Sequence, residues 1–320
     1  MLDAANPWGY GTPTPPMATT HRVRVPGFGS DGPSLAAVRA LVEWLAEGID
    51  RSLRLRVEGR STAQGPRPRW SMASHAVSVR SLEHGSIELD LSTPSLGELF
   101  QSNPFWSQQN LFLVRPDPAQ TPLDLFAESV RDAVRGHDDA DTLDAPLLSH
   151  IASVSTLLDA GAESIILGFG GENFSEVHLE RAQLPQIVAM SARAPETRRV
   201  RIAGELDTLS ISTGAFILLV DGAPLRGMMA RMKPSEARDL LGTRVLTEGE
   251  LVYRPSGRPL RLDAAWMRPA TDADRDLWSS LPSTGRPRRQ ASPPPEGWAA
   301  IFQGLEPEDD DATKSEAPEA

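Results

Sequence analysis

Apolar and polar residues alternate along several short segments between residues 198 and 268. In residues 199–207 the apolar side chains fall at every second position, a pattern typical of a strand with one buried face. Ala215–Val220 is a continuous apolar run of strand length, and Asp221 and Gly222 after it are a strong signal for a two-residue hairpin turn. The pattern therefore predicts that residues 224–229 return as a third strand.

A helix and a second hairpin complete this segment. Residues 234–241 predict a two-turn helix with Gly242 at its end, and residues 243–253 and 259–266 predict two strands joined by a turn. Five strands with one helix between the third and the fourth resemble an OB-fold, or another small β-barrel of similar size. The amino-acid sequences of residues 201–207 and 253–261 also resemble those of bacterial proteins with no assigned activity. This resemblance implies no function.

The preceding residues mix strand and helix patterns. The Ser34 hydroxyl can accept hydrogen bonds from the first turn of a helix, and an apolar stripe continues from there to Glu58. Residues 75–82 and 86–91 predict a hairpin, whereas residues 92–120 predict irregular structure. The remaining predictions are a helix beginning at Thr121 and Pro122, a helix at 144–158, a strand at 163–169 with its antiparallel partner at 177–179, and a helix at 185–192. Because strands and helices mix without regular βαβ alternation, the pattern favours an α+β domain.

Composition sets the boundaries of the predicted domains. The segments at both ends are rich in proline or acidic residues and cannot bury a core. The predicted organisation is a disordered leader at 1–20, a mixed α+β domain at 21–193, the OB-like barrel at 198–268 and a disordered tail at 280–320. The leader lacks the features of a signal peptide, no long apolar run predicts a membrane span, and the chain has no cysteine. We therefore expect a cytoplasmic protein that does not associate with membranes.

The charge distribution bears on the partner. The net charge is −11, but residues 198–268 contain 12 Arg and Lys against 8 Asp and Glu. A slightly basic segment in an acidic chain indicates an anionic partner only weakly. An OB-like barrel can bind single-stranded nucleic acid with aromatic and cationic side chains, and it can equally serve protein contact, because a fold does not determine a function.

The candidate binding residues lie in the strands and turns of the predicted barrel. Of the aromatic residues there, Phe216 lies in an apolar run, whereas Tyr253 beside Arg254 is the expected exposed pair. The residues predicted to bind a partner or a nucleic acid are Tyr253, Arg254, Arg258, Arg261, Arg226 and Arg244. The sequence predicts no catalytic residue, no metal ligand and no cofactor.

The spacing of the histidines bears on whether the protein is an enzyme. None of the six occupies the local spacing of a metal pair, and the glycine-rich loop at 168–173 predicts a hairpin turn, since no helix follows it. A hydrolase with its site in the N-terminal domain stays open, and a cleft joining two or more of His75, His84, His137 and His178 with acids would favour it. The sequence favours a non-enzymatic protein that recognises a macromolecular partner, with a protein partner first and single-stranded nucleic acid second.

Overall fold

The computed structural model describes most of the two predicted domains. The described residues are 19–29, 32–62, 78–79, 86–100, 117–168, 176–211, 214–229 and 234–274. All of them belong to the unit Met1–Thr284. The predicted leader up to residue 18, His75, the turn at 83–85 with His84, the loop at 169–173 and the predicted tail lie outside the described residues.

The N-terminal part is built on a five-stranded antiparallel sheet. Its strands are β1 (Thr19–Val25), β2 (Ser78–Val79), β3 (Ile87–Thr93), β4 (Ser164–Gly168) and β5 (Glu176–Glu180). They lie in the order β2-β3-β1-β4-β5, and each neighbouring pair is antiparallel. The pairing of β2 with β3 and of β4 with β5 confirms the two partnerships that the alternating patterns predict.

Six helices accompany the sheet in the described part of the chain. They are α1 (Leu35–Glu58), α2 (Leu96–Leu99), α3 (Pro122–Arg135), α4 (Ala145–Ala152), α5 (Ser155–Asp159) and α6 (Leu184–Arg193). The predicted caps of α1 and α3 are present. Ser34 Oγ accepts from Ala37 N at 3.2 Å, and Thr121 Oγ1 accepts from Asp124 N at 3.2 Å. Gly59 ends α1 in the left-handed conformation that glycine adopts easily.

Two local predictions are wrong. The single helix expected at 144–158 is divided into α4 and α5, and Ser153 at the break donates from Oγ to the His150 carbonyl at 2.7 Å. Such a side-chain bond competes with the regular helical pattern. The segment expected to be irregular contains α2, which begins with a capping box between Ser95 and Glu98. This four-residue helix is too short for an apolar stripe to reveal it.

The C-terminal part is a closed five-stranded barrel. Its elements are β6 (Arg198–Leu209), β7 (Ala215–Val220), β8 (Ala223–Met229), α7 (Pro234–Leu240), β9 (Arg244–Tyr253) and β10 (Pro259–Pro269). The strands close in the order β10-β8-β7-β6-β9. The contact between β8 and β10 is parallel, whereas the other described pairs are antiparallel. An α+β sheet domain followed by a five-stranded barrel is therefore the architecture of the described chain, as its pattern predicts.

The interiors of the sheet domain and of the barrel form separate hydrophobic cores. The first packs the sheet under α1, α3, α4 and α6 and includes Trp44 and Phe126, whose rings meet edge to face at 4.9 Å between centroids. The second fills the barrel and is centred on fully buried Phe216 and Leu262. Apart from Leu260 of β10, which belongs to the first core, each core gathers the apolar residues of its own set of strands and helices.

The barrel nevertheless packs closely against the sheet domain. Leu260 of β10 is buried in the core of the sheet domain, and Val252 of β9 packs against the same core. Ser256, in the turn between β9 and β10, donates from its backbone nitrogen to the Asp138 carbonyl at 2.7 Å. Arg60, just after α1, pairs with Asp263 of β10 at 3.2 Å. One side of the barrel is therefore covered by the sheet domain.

Candidate functional site

The turn between β9 and β10, where the sequence places two binding arginines, lies against an acidic loop. Arg254 donates from Nε to Asp141 Oδ1 at 2.6 Å, and Arg258 pairs with Asp139. Both acids belong to the loop between α3 and α4. The two arginines are therefore engaged within the chain, where they join the barrel to the sheet domain.

Tyr253 lies inside the barrel, and the expectation of an exposed tyrosine beside Arg254 is wrong. Its relative exposure is only 3%. Tyr253 is two residues after buried Leu251, so both side chains fall on the inner face of β9. Burial raises the pKa of the Tyr253 phenol above its ordinary value. A residue in this position cannot serve as an exposed stacking platform.

The other predicted arginines divide between two places. Arg226 of β8 and Arg261 of β10 line a cleft between the barrel and the end of α1. Arg226 is half-buried and Arg261 is buried. Arg244 is exposed and lines an open groove with Glu205, its partner in register, and Asp221. The six predicted residues therefore do not form one surface.

A different group of charged and aromatic residues lies on the outer face of β6, β9 and β10. In register, Glu248 of β9 is flanked by Arg201 of β6 on one side and Trp266 of β10 on the other. Arg199 donates from Nη2 to Glu248 Oε1 at 2.5 Å, and Arg201 pairs with Glu248 Oε2. The hydrogen bond from Arg201 is the main cause that lowers the pKa of Glu248.

This outer face exposes an aromatic ring together with cations. Trp266 is partly exposed, and the guanidinium carbon of Arg268 lies 5.8 Å from the centroid of its ring, within the range of a cation–π contact. Arg268 also donates to Asp274, at 2.8 and 3.0 Å. The Arg199 and Arg201 side chains are 72% and 55% exposed, whereas that of Glu248 is 8% exposed. We call Arg199, Arg201, Glu248, Trp266 and Arg268 the Trp266 face.

Sequence reasoning missed most of the Trp266 face for a topological reason. Trp266 is visible as one of the aromatic residues of the barrel, and Arg199 and Arg201 stand two residues apart on one face of a strand. The pairing of the first strand with the fourth brings them to Glu248. That pairing depends on barrel closure, which the alternation within a strand does not specify.

Two of the four histidines named for a hydrolase, His137 and His178, lie within the described residues, each beside an acid. His137 Nδ1 lies 3.0 Å from Asp132 Oδ1 on the surface after α3, and His178 Nε2 lies 3.4 Å from Glu176 Oε2 on β5. No group of three or more potential metal ligands occurs among the described residues. His137 and His178 therefore each pair with an acid of their own, Asp132 and Glu176.

One histidine is completely buried beside a carboxylate. His21 of β1 has Nε2 at 2.9 Å from Thr121 Oγ1, and its Nδ1 lies 3.6 Å from Asp124 Oδ1. Burial lowers the pKa of His21, and the Asp124 charge acts in the opposite direction. Thr121 and Asp124 form the capping box of α3. Because Thr121 and His21 are fully buried, this cluster joins the sheet to the start of α3 and offers no open nucleophile.

Comparisons with known proteins add no identification to this geometry. The chain matched no family model, no curated protein and no solved structure. None of the described helices has the length and apolar content required to cross a membrane. The candidate site therefore rests on the residues of the Trp266 face themselves.

Proposed function

We propose that this chain is a non-enzymatic binding protein that recognises a protein partner through the Trp266 face, and that its barrel is an OB-fold. The assignment is supported by the element order, with α7 between the third and fourth strands. The parallel contact of the third strand with the fifth closes a five-stranded barrel of the kind that OB-folds form. OB-folds bind many kinds of partner, so the surface chemistry carries the functional argument.

The observation that carries the proposal is the partly exposed Trp266 beside exposed arginines. Trp and Arg are enriched among the residues that dominate protein–protein affinity, because they bury a large area while keeping polar groups available for pairing. On the Trp266 face these residues occupy adjacent strands of a closed barrel. The barrel holds them in a fixed arrangement, which reduces the entropy lost on binding.

Glu248 holds two arginines of the Trp266 face in place. It holds Arg199 and Arg201 by ion pairs before a partner binds, so fewer side-chain rotations remain to be lost. Its carboxylate, with that of Asp274 beside Arg268, also offsets much of the positive charge. A partner surface with both acidic and apolar groups matches this composition better than a uniformly anionic polymer does.

Single-stranded nucleic acid is the second candidate, and the contact of Arg268 with the Trp266 ring favours it. Such a pair can stack on a base while neighbouring arginines contact phosphates. The binding site would then be the Trp266 face, since Tyr253 is buried. Each lost phosphate contact would lower the slope of log affinity against log salt by about 0.7.

The experiment compares co-purification with tagged full-length protein, its Trp266→Ala variant and its Arg244→Ala variant, each with and without nuclease. Arg244 is an exposed barrel residue outside the Trp266 face and therefore serves as a control for position on the barrel. The proposal predicts a nuclease-resistant protein partner that Trp266→Ala loses and Arg244→Ala retains. A partner that disappears with nuclease would support the nucleic-acid candidate, and equal retention by all three proteins would contradict both.

A further inference from the structure

An open groove on the barrel lies between the turn that joins β7 to β8 and the start of β9. Gly222 borders it on one side, Gly242 and Arg244 border it on the other, and Glu205 of β6 lies between them. The volume of the groove is about 450 Å³, within the roughly 300–1,000 Å³ of small-molecule sites. The groove shares no residue with the Trp266 face and is therefore a separate candidate site.

Charged side chains of both signs follow one another across the groove. In register, Glu205 lies opposite Arg244 of β9 on one side and opposite Leu219 of β7 on the other. Because neighbouring strands lie about 4.8 Å apart, this row runs from a cation through an acid to an apolar side chain over roughly 10 Å. Asp221, two residues after Leu219, adds a second acid at the apolar end. One end of the groove therefore suits a carboxylate, and the rest suits an ammonium group beside an apolar group.

The charges of the groove are not used within the described chain. Opposite charges that face each other on neighbouring strands stabilise a sheet by pairing, and Arg201 and Glu248 of the same two strands form such a pair. Glu205 and Arg244 stand in the same relation, but among the described residues neither has an ion-pair partner, and nor does Asp221. All three are exposed. A ligand can therefore pair with these groups without displacing an internal ion pair.

The two turns that border the groove leave it open. Gly222 and Gly242 have φ values of +76° and +73°, and a Cβ at either position would meet nothing within 4 Å. Glycine adopts such positive φ values without the strain that other residues incur. Because the turns carry glycine, no side chain from these two positions occupies the space, and the groove admits a molecule larger than a single ion.

We propose that the groove binds a zwitterion of dipeptide size, with its carboxylate on Arg244 and its ammonium group between Glu205 and Asp221. Two residues of extended chain span about 7 Å, which lies between one and two strand spacings. The planar guanidinium group matches a carboxylate with two parallel hydrogen bonds, and an ammonium group has three donors to share between two acids. Leu219 is partly exposed and can contact a small apolar side chain of the ligand.

An NMR titration of the full-length protein, labelled at its glycine amides, tests this site with L-alanyl-L-alanine as the probe. The expected result is a saturable shift of the Gly222 and Gly242 signals with a Kd of about 1 mM, since exposed ion pairs stabilise only weakly. Gly161, an exposed glycine of the sheet domain, should not respond. Two analogues of the probe separate its charges, because N-acetyl-dialanine lacks the ammonium group and dialanine amide lacks the carboxylate. Each should bind about fivefold more weakly than dialanine or less tightly still.

Two variants assign the ends of the ligand independently. Arg244→Gln should weaken the binding of dialanine about fivefold and leave that of dialanine amide unchanged, whereas Glu205→Gln should weaken dialanine and leave N-acetyl-dialanine unchanged. Arg135→Gln, which removes an exposed arginine of α3, should affect none of the three probes. No saturable shift up to about 20 mM dialanine, well above the expected Kd, or equal affinity for the three probes, would overturn the proposal. Because the groove and the Trp266 face have no residue in common, these titrations succeed or fail independently of the proposed partner binding.

Discussion

Arg254 Nε lies 2.6 Å from Oδ1 of Asp141, which joins the last turn of the barrel to the loop between two helices of the sheet domain. The two residues are 113 positions apart in the chain. Their side chains are 19% and 23% exposed, so solvent screens them only in part. This contact places a turn of the barrel against the sheet domain and removes it from the free binding surface.

The Arg254–Asp141 pair should show measurable coupling in the free energy of unfolding. We expect a double-mutant cycle with Arg254→Ala and Asp141→Ala to give about 1 kcal/mol or more, as for a partly buried, hydrogen-bonded charge pair. The pair of Arg258 with Asp139 is 59% and 44% exposed and serves as the comparison. Its coupling should be no more than about 0.5 kcal/mol. Equal coupling energies for the two pairs would contradict the expectation that lower exposure strengthens the Arg254–Asp141 interaction.

The turn between β7 and β8 depends on backbone conformation. Asp221 and Gly222 have φ values of 49° and 76°, the positive values that a tight hairpin turn needs. A Cβ at Gly222 would meet nothing within 4 Å, so Gly222→Val tests conformational strain without a clash. We expect it to lower the free energy of unfolding by about 1–3 kcal/mol. Gly29→Val is the control, since Gly29 is exposed, its Cβ also meets nothing and its φ is not positive.

Gly48 in the middle of α1 should resist replacement even by alanine. Alanine normally stabilises a helix relative to glycine by about 1 kcal/mol. At residue 48, however, a Cβ would lie 2.5 Å from Cε2 of the buried Phe126 ring. We expect Gly48→Ala to destabilise the protein by about 1–3 kcal/mol in urea unfolding, the usual cost of overpacking a core. Combining it with Phe126→Leu should cost less than the sum of the two single changes, and simple additivity would contradict the packing argument.

Stability should fall as the pH decreases below neutrality. Burial lowers the folded-state pKa of His21 and of His150 below the unfolded value of 6.5. The unfolded chain therefore takes up protons more readily, so the contribution is complete above about pH 6.5 and is lost as the pH falls from there towards the folded-state pKa. Urea unfolding at pH 7.5 and 5.5 should show this loss, and His21→Gln should reduce it. A stability that rises between pH 7.5 and 5.5 would contradict the assignment.

The order of strands and helices along the chain was predictable from the sequence, whereas the contacts between distant segments were not. The strand and helix order of the barrel follows from the alternation of apolar residues and from turn signals such as Asp221 and Gly222. The same alternation, applied to Leu251 and Tyr253, also contains the information that Tyr253 faces inward. The pairing of Arg254 with Asp141 is different, because packing between the barrel and the sheet domain brings these distant residues together.

The Trp266 face illustrates the same limit on the outer side of the barrel. Arg201, Glu248 and Trp266 belong to three strands and become neighbours through the register of β6 with β9 and of β9 with β10. A bulge between Ala264 and Trp266 shifts that register by a residue. Without the bulge, the Trp266 indole would lie on the inner face of β10 instead of the outer face.

Site-specific photo-crosslinking tests the central claim most directly. A photoreactive phenylalanine analogue replaces the exposed Ala265, next to Trp266, or the exposed Val188 of α6 as a control, in full-length protein expressed in its native cell. Our account predicts a discrete, nuclease-resistant protein adduct at position 265 that disappears when Arg201→Glu is added, and no such adduct at position 188. No adduct at position 265, or the same adduct at both positions, would contradict partner binding through the Trp266 face.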